Sequence, residues 1–174
     1  PKNQKYVNLK DALPEAYERL EKLHENKGML RGLPTGFKDL DNLLSGFQKS
    51  DLVILAARPS MGKTTLALDM ARMAGVLHEK SVVIFSLEMS SQQLVDRMLS
   101  AESRVNAWDL RTGRLSSHRE FSQLRDSVDK LAKAKIYIDD QAGNSIVRMK
   151  ALCRRLKAEN GLDLIVVDYL QLMT

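Results

Sequence analysis

Residues 57 to 65 read Ala57-Arg58-Pro59-Ser60-Met61-Gly62-Lys63-Thr64-Thr65, an order that suits the binding of a polyphosphate. Such a ligand takes a ring of backbone N–H donors and a glycine where the chain passes close to the phosphates. It also takes an ammonium that reaches the β- and γ-phosphates, and a hydroxyl that meets Mg²⁺ at a helix N-terminus. Gly62, Lys63 and Thr64 fill those places, with Ser60 and Met61 leading in and Thr65 leading out. The pattern is a phosphate-binding P-loop whose first glycine is replaced by Ala57, a change the αR or β backbone region accepts. The plainer alternative is a Gly-Lys-Thr turn that merely starts a helix. A strand-like run, Leu52 to Ala56, before the motif and a helical pattern after it argue against that alternative.

A P-loop needs an acid across the sheet, and Leu164-Ile165-Val166-Val167-Asp168 offers an apolar strand closing on a carboxylate. Asp168 is the expected Walker B residue, holding the water shell of Mg²⁺. Alone, an Asp at a strand end is more often simply solvated; the P-loop reverses that preference. The run Val82 to Phe85 leads into Ser86-Leu87-Glu88-Met89-Ser90, which sets Glu88 just past the edge where doubly wound sheets hold their ligands. Glu88 is the expected base for an attacking water. Position alone allows it equally to be a helix-start glutamate favoured by the macrodipole. Asp139 and Asp140 close the next strand at the same edge and read as a strand-end cap or a solvated loop.

The elements that must position these residues follow from hydrophobic periodicity. Leu9, Leu13, Tyr17, Leu20 and Leu23 recur at spacings of three and four, which predicts a helix over about 10–25 with one apolar stripe, ending at Asn26-Lys27-Gly28. A short helix fits Phe37 to Leu44, with Thr35 as N-cap and Gly46 closing it. From Asp51 onward short β-type runs alternate with helical stretches: strand 52–56, helix 63–74, strand 82–85, helix 92–101, a helix after Ser117, strand 136–138, helix 146–159 and strand 162–167. This rhythm means a parallel sheet with helices on its faces. Ser117 and Glu120 have capping-box spacing, and Phe121, Leu124, Val128 and Leu131 give the following helix a stripe to bury. Arg111-Thr112-Gly113-Arg114 reads as a loop between helices.

With 174 residues, 44% of them hydrophobic, the chain fits one globular domain, and its single cysteine excludes a disulfide framework. Cys153 falls in an apolar helical pattern with Met149, Leu152 and Leu156 and reads as core. No apolar run approaches the length that crosses a bilayer, so a soluble, cytosolic protein is expected. The net charge of +5 suits a polyanionic partner without requiring one. Arg148, Lys150, Arg154, Arg155 and Lys157 form a basic helix face, which is what any surface helix shows. His24, His78 and His118 lie too far apart to share a metal. Pro1, and the apolar run just before Thr174, read as cuts in a longer protein.

Together these segments resemble the C-terminal motor domain of the DnaB family of replicative hexameric DNA helicases. The carriers are Leu33-Pro-Thr-Gly-Phe37 with Leu40-Asp41 and Ser45-Gly-Phe47, then Ala57 to Thr64, Phe85 to Ser90, Arg111 to Leu115 and Val167 to Leu172. The P-loop is widely shared; the Arg-Pro-Ser-Met-Gly-Lys-Thr form beside Ser-Leu-Glu-Met-Ser and Asp-Tyr-Leu-Gln-Leu is specific. The resemblance implies a RecA-like α/β P-loop NTPase with helices on both faces of a parallel sheet, truncated after the Walker B strand. It implies ATP and Mg²⁺ as cofactors, and ATP-driven translocation on single-stranded DNA by a ring of six. Lys63 and Glu88 then carry catalysis; Ser60, Met61, Gly62, Lys63, Thr64 and Thr65 bind nucleotide; Thr64 and Asp168 hold the metal. Residues 1–28 correspond to a linker helix that docks on a neighbouring subunit and builds the homo-hexamer, and residues 29–174 to the N-terminal part of the ATPase domain. Primase and a helicase loader are implied as partners, with a cytoplasmic, nucleoid-associated location and no membrane.

The family continues past the Walker B strand with a sensor glutamine, DNA-binding loops, an arginine finger and the strand between the P-loop and Walker B strands. None of these lies in the 174 residues, so the piece alone is expected to be weak or inactive. Two rivals remain. One is another RecA-like ATPase of the recombination or circadian-clock kind; the other is a non-catalytic nucleotide-binding assembly module.

Overall fold

The structure, a computed structural model, describes residues 8–25, 30–115 and 117–169, apart from the side chain of Leu23. The chain divides into two compact units, residues 1–31 and 32–174. In the first, helix α1 spans Leu9–Glu25. Asn8 starts it, its side chain accepting the Lys10 N–H at 3.1 Å, which satisfies one of the unpaired donors of the first turn. Leu9, Leu13, Tyr17 and Leu20 are exposed along it. The expected joint at Asn26-Lys27-Gly28 lies outside the described residues.

The second unit contains α2 (Lys38–Leu44), α3 (Lys63–Val76), β1 (Val82–Ser86), α4 (Ser91–Ser103), α5 (Ala107–Thr112), α6 (His118–Lys133), β2 (Ile136–Asp139), α7 (Ile146–Asn160) and β3 (Leu164–Asp168). The strands form a parallel sheet in the order β2-β1-β3. In register, Phe85 lies opposite Asp139, and Ser86 opposite Asp168, so all three strands deliver polar residues to one edge. The central strand β1 is buried along its whole length, which explains its unbroken Val-Val-Ile-Phe run. Val82 and Ile84 pack with Leu68, Ala71 and Ala74 of α3 and with Leu94 and Met98 of α4. Val83 and Phe85 face the other way, onto Met149 and Leu156 of α7. Each large side chain so buried contributes about 1.5–3 kcal/mol of transfer free energy. The α/β expectation, with helices on both faces of a parallel sheet, is met.

Several local expectations are corrected. Residues 52–56 form no strand: among the described residues they pair with nothing, and Leu52 and Ile54 are 85% and 73% exposed. Composition registers their β propensity, but a strand also needs a neighbour, and among the described residues β3 is hydrogen-bonded on the β1 side alone. Among the described residues the sheet thus has three strands where the pattern suggests a fourth. Arg111 and Thr112 belong to the short helix α5, closed by Gly113 at φ 68°, in place of the expected loop. The N-cap of α2 is Phe37, and its C-cap is Ser45 at φ 57°.

Thr35 is instead a buried brace. Its N–H reaches Asp41 Oδ1 at 2.7 Å and its Oγ1 accepts the Phe37 N–H at 3.2 Å. Leu33 and Phe47 form an antiparallel bridge that closes this segment on itself. The expected capping box at Ser117 and Glu120 is present, and a second one, Ser90 with Gln93, starts α4; a cap of this kind is worth about 1 kcal/mol.

Candidate nucleotide site

The loop before α3 turns through two left-handed residues, Ser60 at φ 63° and Gly62 at φ 85°. A Cβ on Gly62 would meet nothing within 4 Å, so it is the backbone angle, not a lack of space, that calls for glycine. Gly62 is also the N-cap of α3, and no side chain caps that helix. The first-turn N–H groups, at the positive end of the helix dipole, are therefore left to face an anion. Ser60, Met61 and Thr65 are exposed around this turn. Ala57 has no positive φ, so the missing glycine costs no backbone strain.

Lys63 and Thr64, the first residues of α3, converge on the end of β3. Lys63 Nζ lies 3.0 Å from Asp168 Oδ1, and Thr64 donates its hydroxyl to Asp168 Oδ2 at 2.5 Å. The Lys63 ammonium also stands 4.4 Å from the centroid of the Tyr169 ring, a cation–π contact. Residues 104 positions apart are thereby brought together, because α3 packs against the sheet on the face reached by Val82 and Ile84.

Glu88 follows β1 on an exposed turn. Ser86 closes that turn, donating to the Met89 carbonyl at 2.7 Å and accepting the Met89 N–H at 3.2 Å. The Leu87 N–H reaches the Asp168 carbonyl at 2.8 Å, which ties the turn to β3. A cavity of about 10 Å³, lined by Thr64, Ser86, Asp168 and apolar side chains, lies beneath. Sequence reasoning missed Ser86 and Tyr169. A small polar residue ending a wholly apolar strand was the available signal for Ser86; nothing marked the Tyr169 ring as a neighbour of Lys63.

Asp139 and Asp140 act as caps. Asp139 Oδ1 accepts the Gln141 N–H at 3.0 Å and the Asn144 side-chain amide at 3.1 Å. Asp140 Oδ2 accepts the Ser91 N–H at 2.6 Å, at the start of α4, and this backbone hydrogen bond holds the carboxyl below its ordinary range. Arg148 stands 3.8 Å from Asp139, a mostly buried carboxylate of β2, whereas Arg155 stands 3.8 Å from Glu159 on the exposed face of its own helix. Cys153 packs beside the Val83 and Phe85 cluster, and burial pushes its thiol up.

The oxygen donors at the end of β3 fit Mg²⁺. Among the described residues no three His, Cys, Asp or Glu side chains gather into a metal cage. What converges is one hydroxyl and one carboxylate. Mg²⁺ is bound in that manner, by a carboxylate or two with phosphates and waters completing the octahedron.

Comparison with known proteins gives the fold its family. Replicative DNA helicase DnaC of Bacillus subtilis is 48% identical over 168 residues, covering 97% of this chain and 37% of that protein. Replicative DNA helicase DnaB of Geobacillus stearothermophilus is 49% identical with the same coverage. The chain therefore spans a little over a third of the length of these relatives. A solved ATPase domain superposes with a TM-score of 0.88 at 30% identity, over 98% of this chain and 60% of that one. A structure of a DnaB-like replicative helicase and its interactions with primase gives a TM-score of 0.86 at 29% identity, over 100% and 41%. The fold is thus that of the RecA-like helicase ATPase domains. A family model described as the DnaB-like helicase C-terminal domain matches residues 32–174; those residues contain the loop, the acid and the whole sheet, and the chain belongs to that family.

Proposed function

We propose that this chain is the ATP-binding and ATP-hydrolysing portion of a replicative DNA helicase that moves on single-stranded DNA as a homo-hexameric ring. The observation that carries the reading is the convergence of Lys63 and Thr64 on Asp168 beside an uncapped helix N-terminus. A polyphosphate carries more negative charge than one carboxylate and competes for the same ammonium, so Lys63 can pass from Asp168 to the β- and γ-phosphates. The N–H groups from Gly62 to Thr65 would hold the phosphate oxygens without reorganising. Thr64 and Asp168 would hold Mg²⁺, which neutralises charge between the phosphates when bound. Glu88 would orient the attacking water and take its proton on the carboxylate. Residues 1–28 would dock on the next subunit, with primase and a loader as further partners.

The test is ATP turnover, with and without single-stranded DNA, by a full-length protein carrying this sequence and by its Lys63→Ala variant. DNA-stimulated turnover that the substitution abolishes, in a protein that melts as a folded chain, is the expected result. Wild-type turnover by the variant would remove the P-loop assignment. ATP binding without turnover by the unsubstituted protein would favour a non-catalytic assembly module.

A further inference from the structure

We propose that Ser86 is a positioning residue that sets the carboxylate of Glu88 over the phosphate site. The inference rests on the reading of Glu88 as the base. Ser86 is the last residue of β1, opposite Asp168 in the ladder, and is only 2% exposed. Its hydroxyl is committed in both directions to one residue, accepting the Met89 N–H and donating to the Met89 carbonyl. A polar group this buried is held by hydrogen bonds, and both of those seen here go to Met89. These two bonds fold residues 86–89 into a closed turn whose exposed member is Glu88.

The neighbours of Glu88 are anchored on opposite faces of the sheet. Leu87 packs against the cluster that Val83, Phe85, Met149 and Leu156 form on the α7 face. Met89 packs against the cluster, with Leu68, Ile84 and Leu94 among its members, on the face covered by α3 and α4. Glu88 itself makes no hydrogen bond or ion pair among the described residues, so its place is set by the backbone it stands on and not by a side-chain partner. That backbone is held at one end by the Leu87 to Asp168 hydrogen bond and at the other by the Ser86 hydroxyl. Lys63, Thr64 and Asp168 hold one another directly. Loss of the hydroxyl therefore loosens the base while leaving the phosphate contacts in place.

The experiment compares Ser86→Ala, Ser86→Thr, Glu88→Gln and the Ser86→Ala, Glu88→Gln double variant in a full-length protein carrying this sequence. Turnover and the affinity for a fluorescent ATP analogue are measured separately. Displacing a catalytic group by about 1 Å costs on the order of 10²-fold. Ser86→Ala is thus expected to lower kcat by about 10- to 100-fold with analogue affinity within about twofold. Ser86→Thr restores the hydroxyl and is expected to turn over within a few-fold of wild type, the small cavity beside residue 86 taking the methyl. Groups acting as a unit are non-additive, so the double variant is expected to be no slower than Glu88→Gln alone.

Wild-type turnover by Glu88→Gln would overturn the reading of Glu88 itself. A slow Glu88→Gln with a wild-type Ser86→Ala would overturn the role of Ser86 alone. An affinity loss in Ser86→Ala as large as its loss of turnover would do the same, by showing that Ser86 shapes the nucleotide pocket. If Ser86→Ala lacks a cooperative melting transition, Ser86→Thr decides: a folded Thr variant with lowered kcat overturns the proposal.

Discussion

Asp168 receives both the Lys63 ammonium at 3.0 Å and the Thr64 hydroxyl at 2.5 Å, so one carboxylate organises two residues of the P-loop helix. Its substitution separates stability from function. Lys63 is partly open to solvent while Asp168 is mostly buried, so the attraction within the pair and the cost of desolvating it largely offset, and the amide of Asn keeps an acceptor for the Thr64 hydroxyl. Asp168→Asn is accordingly expected to shift the melting temperature by a few degrees at most, while on the proposed reading, in which Asp168 would hold Mg²⁺, ATP turnover is expected to fall by about 10²-fold or more. Calorimetry and a turnover assay check the two halves. Glu88→Gln is expected to leave ATP affinity intact and lower turnover by about 10²-fold or more, because an amide accepts a hydrogen bond but does not take a proton. The meeting of Lys63 and Thr64 with Asp168 was legible in the sequence, because their types and spacing are those that phosphate chemistry demands; position alone left Glu88 open between a base and a helix-start glutamate, and its reading as base rests on the family resemblance. Ser86 and Tyr169 were not legible, since their roles depend on a turn and on a cross-sheet approach that no local pattern encodes.

At the scale of elements, α4 is held at its start by two devices. Ser90 and Gln93 form a capping box, and Asp140 accepts the Ser91 N–H from across the sheet edge. The apolar periodicity alone begins this helix at Gln92; the caps set its true start at Ser91. The Asp140 carboxyl is held below its ordinary value of 3.8 by that N–H. A lowered folded-state value means that the contribution is fully present above the unfolded value and is lost as pH falls through the folded one. The stability difference between wild type and Asp140→Asn is thus expected to be constant near neutral pH and to shrink as pH drops below about 4. Chemical denaturation across that range measures it, and a difference that grows toward acid would contradict the assignment. Gly36, at φ 86°, has no room for a side chain: a Cβ there would come within 2.9 Å of Met73 Cβ. Left-handed backbone costs a non-glycine residue about 1–2 kcal/mol and overpacking about 1–3. Gly36→Ala is therefore expected to destabilise the second unit by about 2–4 kcal/mol, read as a lower denaturation midpoint with unchanged slope.

At the scale of the molecule, the surfaces left open by the fold are where sequence and structure part. Leu52 to Leu55 carry the composition of a buried strand yet lie exposed, and Ile165 is half exposed on β3. Propensity reports what a segment would do beside a neighbour, and only the fold says whether the neighbour is there. The stripe on α1 poses the same question for a helix. Leu13, Tyr17 and Leu20 are 56%, 64% and 59% exposed, at spacings of four and three that line one face. Buried in a neighbouring subunit they would each contribute up to about 1.5–3 kcal/mol, before the ordering costs of association. Leu13→Asp with Leu20→Asp removes two of those contributions and adds two charges that resist desolvation. In a full-length protein carrying this sequence, the pair is expected to shift sedimentation from oligomer toward monomer, with the circular dichroism of the folded chain retained. Neither position lies in the core of the second unit, so its melting transition is expected to stay in place. An unchanged oligomer would show that the stripe packs elsewhere than on a neighbour, and a monomer with lost helical signal would show that it supports its own chain.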